Sequence, residues 1–304
     1  MTATAGASSL AVEPFAVLDG GLSTALELLG HRPSGLLWTA QLVVDQPQVI
    51  TAAHRSFVEA GADIVISSSY QASVAGFSRA GLSPAAATRA LLSTTELARL
   101  SGVRYVAASI GPFGATLGDG SEYHGSYAAS WDEVRSFHRQ RLEVLADSGA
   151  DLFAIETIPG VIEAEIVLDE LRRVSDRPAW LSVSCRSATH TCAGDEIGVV
   201  AELAGRASNL VAVGVNCTDP RFVGELLRSC RAATDLPLVA YPNHGRLWHA
   251  EQERWIGDDG DDHVGHRVAE WFATGARFIG GCCGVGPAGV REVAAARSAL
   301  ACGT

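Results

Sequence analysis

"DSGADLFAIETIPG", residues 147–160, decides how the chain is to be read. Gly149 stands where a helix would end, an uncharged run follows, and Glu156 and Thr157 stand where that run stops. The run "DLFAIET" (151–157) is too continuously apolar for a strand with one wet face and suits a parallel strand buried on both. A glycine cap feeding such a strand is the junction of an α/β unit.

The junction recurs as "EAGADI" (59–64) and "ATGARF" (273–278). Seven further apolar runs share the character of 151–157. They are "FAVLDG" (15–20), "DIVISSS" (63–69), "RYVAASI" (104–110), "AWLSVSC" (179–185), "LVAVGVN" (210–216), "PLVAYP" (237–242) and "RFIGGC" (277–282). Between them, "TTELARLSG" (94–102), "WDEVRSFHRQRLEVLADSG" (131–149) and "GELLRSCRAATD" (224–235) place apolar residues every three or four positions, as amphipathic helices do. Eight strand–helix repeats predict an α/β fold, a single-domain (β/α)8 TIM barrel over 13–304 behind a flexible N-terminus, 1–12. A doubly wound open sheet has the same periodicity and stays open as the alternative. Segments 29–41 and 243–262 read as long excursions after strands, on the face where a barrel builds its site.

The bulk composition agrees with a globular domain. Of 304 residues 47% are hydrophobic and 19% charged, away from the disordered class. A net charge of -11 argues against nucleic acid or an anionic membrane as partner. The first residues lack the basic start and apolar run of a secretory signal, and no apolar stretch reaches the ~18 residues of a membrane span. Seven cysteines, an odd number scattered over the chain, do not form a disulfide framework. The expectation is a cytoplasmic protein with reduced thiols, where clustered cysteines bind metal or do chemistry more often than they crosslink.

Polar residues gather where the predicted strands end: Asp19, Ser67 to Gln71, Ser109, Glu156, Asn216 with Cys217, Tyr241, and Cys282 with Cys283. Cys217 and the adjacent pair would bring three thiols to one rim. Three thiolates with one exchangeable position describe a catalytic zinc site. Neighbours on a regular strand point to opposite faces, so the pair can share an ion only if the backbone leaves strand geometry, as Gly280, Gly281 and Gly284 permit. Buried structural cysteine and a Cys282–Cys283 redox couple are the competing readings. Gly284, Gly286 and Gly289 also spell a dinucleotide fingerprint, but too few residues follow to complete such a unit. Asp19 has an ordinary reading as a helix cap and Glu156 as the partner of a core arginine. Cys185 and Cys192, with His190, read as buried thiols rather than a second metal site, and Cys230 and Cys302 as inert.

"LDGGLSTALE" (18–27), "GPFGATLGDGSEYHGSY" (111–127), "ETIP" (156–159), "GVNCTDP" (214–220), "YPNHG" (241–245) and "GGCCG" (280–284) together resemble the homocysteine S-methyltransferases, over nearly the whole chain and in order. The likeness is to the short branch that uses S-methylmethionine or S-adenosylmethionine. It implies Zn2+ on Cys217, Cys282 and Cys283, with the homocysteine thiolate at the open position. It implies further that Asp19 and Glu156 hold the substrate ammonium, that Asn216 belongs to the substrate-binding set, and that Trp38 lies near the donor. Tyr70 would approach the metal when substrate is absent. His244 stands where relatives carry a small polar residue. The implied partners are homocysteine and a sulfonium donor, bound by a monomer or weak homo-oligomer. The resemblance to the short branch implies a chain without the C-terminal extension that betaine-using relatives carry. A betaine-dependent enzyme and a non-catalytic zinc or thiol sensor remain as alternatives.

Overall fold

The computed structural model describes residues 13–32, 37, 39–245, 247–249, 254–256 and 264–302, so the expectation for 1–12 lies outside the described residues. Eight parallel strands form one sheet: β1 (Ala16–Val17), β2 (Ile64–Ile66), β3 (Tyr105–Ile110), β4 (Leu152–Ile158), β5 (Ala179–Val183), β6 (Leu210–Asn216), β7 (Leu238–Tyr241) and β8 (Ala276–Ile279). Each pairs with its sequence neighbours and β8 pairs with β1. A parallel bridge from Leu18 to Ile64 joins β1 to β2 and closes the ring. The fold is a (β/α)8 barrel, and the open doubly wound sheet is excluded.

One long helix follows each strand: α1 (Pro47–Glu59), α2 (Pro84–Arg99), α3 (Trp131–Ala146), α4 (Val161–Val174), α5 (Ile197–Gly205), α6 (Pro220–Ala233), α7 (Val264–Thr274) and α8 (Pro287–Cys302). The sequence marks several starts. Ser83 and Asp219 cap with proline at the next position, and Ser130 forms a reciprocal capping box with Glu133. The recurrent junctions end as read, with Gly61, Gly149 and Gly275 at positive φ before a strand.

Two apolar layers result. Outward residues of the sheet, such as Phe153, Ile155, Leu181 and Val213, pack against the helices. Inward residues, including Ala16, Leu152, Ala154, Trp180, Val239 and Phe278, fill the barrel. Because side chains alternate along a strand, the inward positions toward each C-terminal end are fixed. Those positions are Ser109, Glu156, Ser182, Asn216 and Tyr241, a polar layer on an apolar plug. The 243–262 excursion contains an antiparallel hairpin, Leu247–His249 with Arg254–Ile256. No described helix is long and apolar enough to cross a membrane.

Candidate active site

The three cysteines meet. Cys217 Sγ lies 3.8 Å from Cys283 Sγ, Cys283 lies 4.0 Å from Cys282, and all three sulfurs fall within 4.8 Å of one another. Two backbone departures bring them together. Cys217 follows the last residue of β6 with φ 47°, a conformation a non-glycine residue adopts only where its surroundings enforce it. Its N–H donates to the Tyr241 carbonyl at 3.2 Å. Past β8 the chain turns away from strand geometry. Cys282 N–H donates to Pro242 O at 2.7 Å, and the Cys283 carbonyl accepts from His244 N–H at 2.9 Å. β8 is therefore shorter than the sequence reading, ending at Ile279 before the pair.

Glycine is required on both sides of this turn. A Cβ on Gly280 would sit 2.6 Å from Leu18 Cβ and 2.7 Å from Asp19 O. Gly284 holds φ 79°, and a Cβ there would meet His244 Cβ at 2.7 Å. The contacts among the sulfurs act in both directions, each thiol being lowered by one neighbour and raised by the other, and with burial and the neighbours' charges the balance leaves all three well above the ordinary cysteine range. A thiophilic cation reverses that balance, because coordination deprotonates a thiol outright. As a donor set, three convergent soft sulfurs suit a tetrahedral zinc with one position left over.

The family model for homocysteine S-methyltransferase matches residues 16–297. The chain belongs to that family. Homocysteine S-methyltransferase 4 of Zea mays is 40% identical, with 92% of this chain and 89% of that protein aligned. Homocysteine S-methyltransferase YbgG of Bacillus subtilis is 36% identical over 93% and 94%. Among solved structures, the homocysteine methyltransferase MmuM of Escherichia coli in its metallated form superposes with a TM-score of 0.84 at 34% identity, covering 95% of this chain and 98% of that one.

Two buried carboxylates, Asp19 and Glu156, act on each other through their charges, and Glu156 acts in the same way on Cys282 and Cys283. Asp19 is buried, with Oδ2 accepting from Ile66 N–H at 2.9 Å and Oδ1 left without a hydrogen-bond partner. It does not cap the short helix that follows, Leu22–Leu28, whose N-cap is Gly21. Burial, and then Glu156, push the Asp19 carboxyl well above the usual carboxylate range. Glu156 accepts from Ser109 Oγ, and burial pushes its carboxyl up to about 7. Tyr241 helps to hold it, with its own hydroxyl fixed by Trp180 Nε1 at 2.9 Å and Ser182 Oγ at 2.6 Å. Arg141 acts on Glu156 through its charge. Burial thus works against the ionised form of both carboxyl groups, which a nearby cation would favour.

Asn216 spends its amide on the scaffold. Its Oδ1 accepts from Thr157 N–H and its Nδ2 donates to Thr157 Oγ1, each at 2.7 Å. This fixes Thr157 at φ 58° directly after Glu156, while Nδ2 also reaches the Cys282 sulfur at 4.0 Å. Tyr70 lies over Gly111, its hydroxyl bonded to Thr157 and its phenol raised by burial and then by the charges of Glu122 and Cys217. Trp38 lies outside the described residues. Cys185 and Cys192 sit on a small antiparallel turn after β5, joined through the bridge from Cys185 to Thr191. Among the described residues no second group of three metal-capable side chains is gathered. One contact was not anticipated from the sequence. Tyr123, inside the quoted "DGSEYHGSY", places its hydroxyl 3.7 Å from the Cys217 sulfur.

Proposed function

We propose that the chain moves a methyl group from a sulfonium donor, S-methylmethionine before S-adenosylmethionine, to the thiol of homocysteine, with Cys217, Cys282 and Cys283 as the ligands of one zinc. The observation that carries this reading is the meeting of three sulfurs and two buried carboxylates on one rim of the barrel. A zinc held by the three cysteines supplies a position at which a substrate thiol loses its proton at neutral pH. Asp19 and Glu156 take the substrate ammonium through charge-assisted hydrogen bonds, the unpartnered Oδ1 of Asp19 being free to accept one. Ser109 and Tyr241 keep Glu156 aimed while its charge develops.

With the amine fixed, the homocysteine sulfur attacks the donor methyl carbon in line. The new C–S bond forms as the old one breaks, and its electron pair leaves on the donor sulfur as a neutral thioether. No general acid is needed for that departure, and no basic residue is assigned to it. Betaine, a quaternary ammonium donor, is expected to fail. Methionine formation from homocysteine with each of the three donors at equal concentration tests the reading. Sulfonium turnover with none from betaine supports it, and betaine turnover matching both sulfonium compounds would overturn the donor assignment.

A further inference from the structure

Behind the 111–127 segment lies a buried polar group that the methyl-transfer chemistry does not use. Glu163, in the first turn of α4, is 2% exposed, and its carboxylate accepts hydrogen bonds from three separate places. Phe113 N–H donates to Oε1 at 2.6 Å, Tyr127 hydroxyl to Oε2 at 2.5 Å, and His138 Nε2 lies 2.8 Å from Oε1. Phe113 and Tyr127 bracket the loop that brings Tyr123 to Cys217. Arg141, on α3 one turn beyond His138 and equally buried, donates to Tyr70 O at 3.1 Å and to Gly111 O, and approaches His138 Nδ1 at 3.4 Å. The rings of Phe113, Tyr127 and Phe137 close over the group, with centroids 5.4 Å and 5.3 Å apart.

A buried carboxylate costs several kcal/mol in lost hydration unless donors replace the water. Burial does push Glu163 up, but the bonds from His138, Phe113 and Tyr127 outweigh it and hold the carboxyl below its ordinary value. Burial also keeps His138 below the usual histidine range. The result is a fixed anion beside a buried guanidinium. Between its two points of attachment the loop has two short 3-10 turns, Phe113–Thr116 and Ser121–Tyr123, with an outside anchor from Gln71 Nε2 to Ala115 O at 2.8 Å, so its far end rests on Tyr127.

We propose that Glu163, backed by His138 and Arg141, is a positioning residue that fastens both ends of the 113–127 loop and so holds Tyr123 against the Cys217 sulfur. Outer contacts of this kind are worth about 10–100-fold in metal affinity or activity.

The test uses the full chain, zinc-free and under reductant, with alkylation by iodoacetamide read cysteine by cysteine by mass spectrometry. Tyr127→Phe removes one hydroxyl and is conservative enough to fold, while Glu163→Gln perturbs the anchor itself. Both should alkylate Cys217 at least about threefold faster, through local opening of the loop, while Cys230 stays at its wild-type rate. Cys230 is fully buried on α6, and serves as the internal control for global loosening. In the zinc-loaded protein, Tyr127→Phe should lower kcat about tenfold with homocysteine KM within twofold, and should do nothing further in a Tyr123→Phe background. Unchanged Cys217 alkylation, equal acceleration of Cys217 and Cys230, or the same kcat loss in both backgrounds would each overturn the proposal. The alkylation result does not depend on the reaction, so it fails or holds apart from the methyl-transfer reading.

Discussion

Two groups of cysteines on this barrel have the same chemistry and different surroundings. Cys217, Cys282 and Cys283 leave strand geometry at the ends of β6 and β8 and converge. Cys185 and Cys192 follow β5, where the backbone continues into a regular small turn: Cys185 N–H donates to Thr218 Oγ1 at 2.9 Å and Cys192 N–H to Ser184 O at 2.9 Å. Cys230, on α6, packs in the helix–sheet layer as a small apolar residue, its thiol pushed up to about 12 by burial. The difference lies in the backbone around the thiols and not in their number. A positive-φ Cys217 and a glycine-flanked turn bring three sulfurs to a common point, whereas the ordinary strand exit gathers no such group of three among the described residues.

The comparison is broken most directly by removing a sulfur from each group. Cys217→Ala, Cys282→Ala and Cys283→Ala are each expected to lose bound zinc and at least about a thousandfold of methionine formation while the barrel's circular dichroism stays the same. Cys230→Ala is expected to keep zinc and turnover and lose about 1 kcal/mol of stability in urea. Full zinc in any of the first three variants removes that residue from the ligand set.

A smaller effect is expected from the backbone that creates the convergence. In Gly280→Ala the new methyl meets Leu18 and the Asp19 carbonyl at distances no real Cβ tolerates, so the turn must shift. Zinc affinity, measured by competition with a chelator, should fall about 10–100-fold with all three cysteines present. An unchanged affinity would mean that the sulfurs gather without help from the turn.

The smallest effect belongs to the carboxylate side. Glu156→Gln should raise homocysteine KM about tenfold and leave zinc in place, since a charge-assisted bond is lost and no ligand is. The wild-type pH profile carries the same information. Glu156 is held protonated up to about 7 by burial, so below that pH the binding of an ammonium must first expel a proton. Apparent affinity should fall by up to about tenfold per pH unit below 7, and Glu156→Gln should flatten that limb. The stability sign is opposite to the usual carboxylate case. The raised value means that the unfolded chain ionises first, so Glu156 costs the fold stability as pH rises from 4.5 to about 7, and the Gln variant should gain over that window. A limb that persists in Glu156→Gln would move the titration to another group.

Much of this was legible in the sequence. The eight apolar runs and glycine junctions located all eight strands, because a strand buried on both faces writes its apolar character without interruption. The polar layer was legible too, since Glu156, Asn216 and Tyr241 end those runs. Strand ends were less so. "RFIGGC" reads as one run, yet Gly280 and Gly281 carry no side chain to distinguish strand from turn, and β8 stops at Ile279. The hairpin within 243–262 went unread, its strands being three residues each. Tyr123 and Glu163 were missed for a different reason. Their partners, Cys217 at one end and Phe113, Tyr127 and His138 at the other, lie between 25 and 94 positions away, and no local period encodes such a contact. The one available signal was "DGSEYHGSY" (119–127), polar and glycine-rich, shortly after the "GPFG" that follows β3.

The central claim is that three cysteine sulfurs hold one zinc and leave a place for the substrate's sulfur. Zinc-edge X-ray absorption of the purified protein, before and after homocysteine is added, measures it directly. The expected result is three sulfurs at about 2.3 Å before addition and four after it. A first shell with fewer than three sulfurs, or one that homocysteine leaves unchanged, would contradict it.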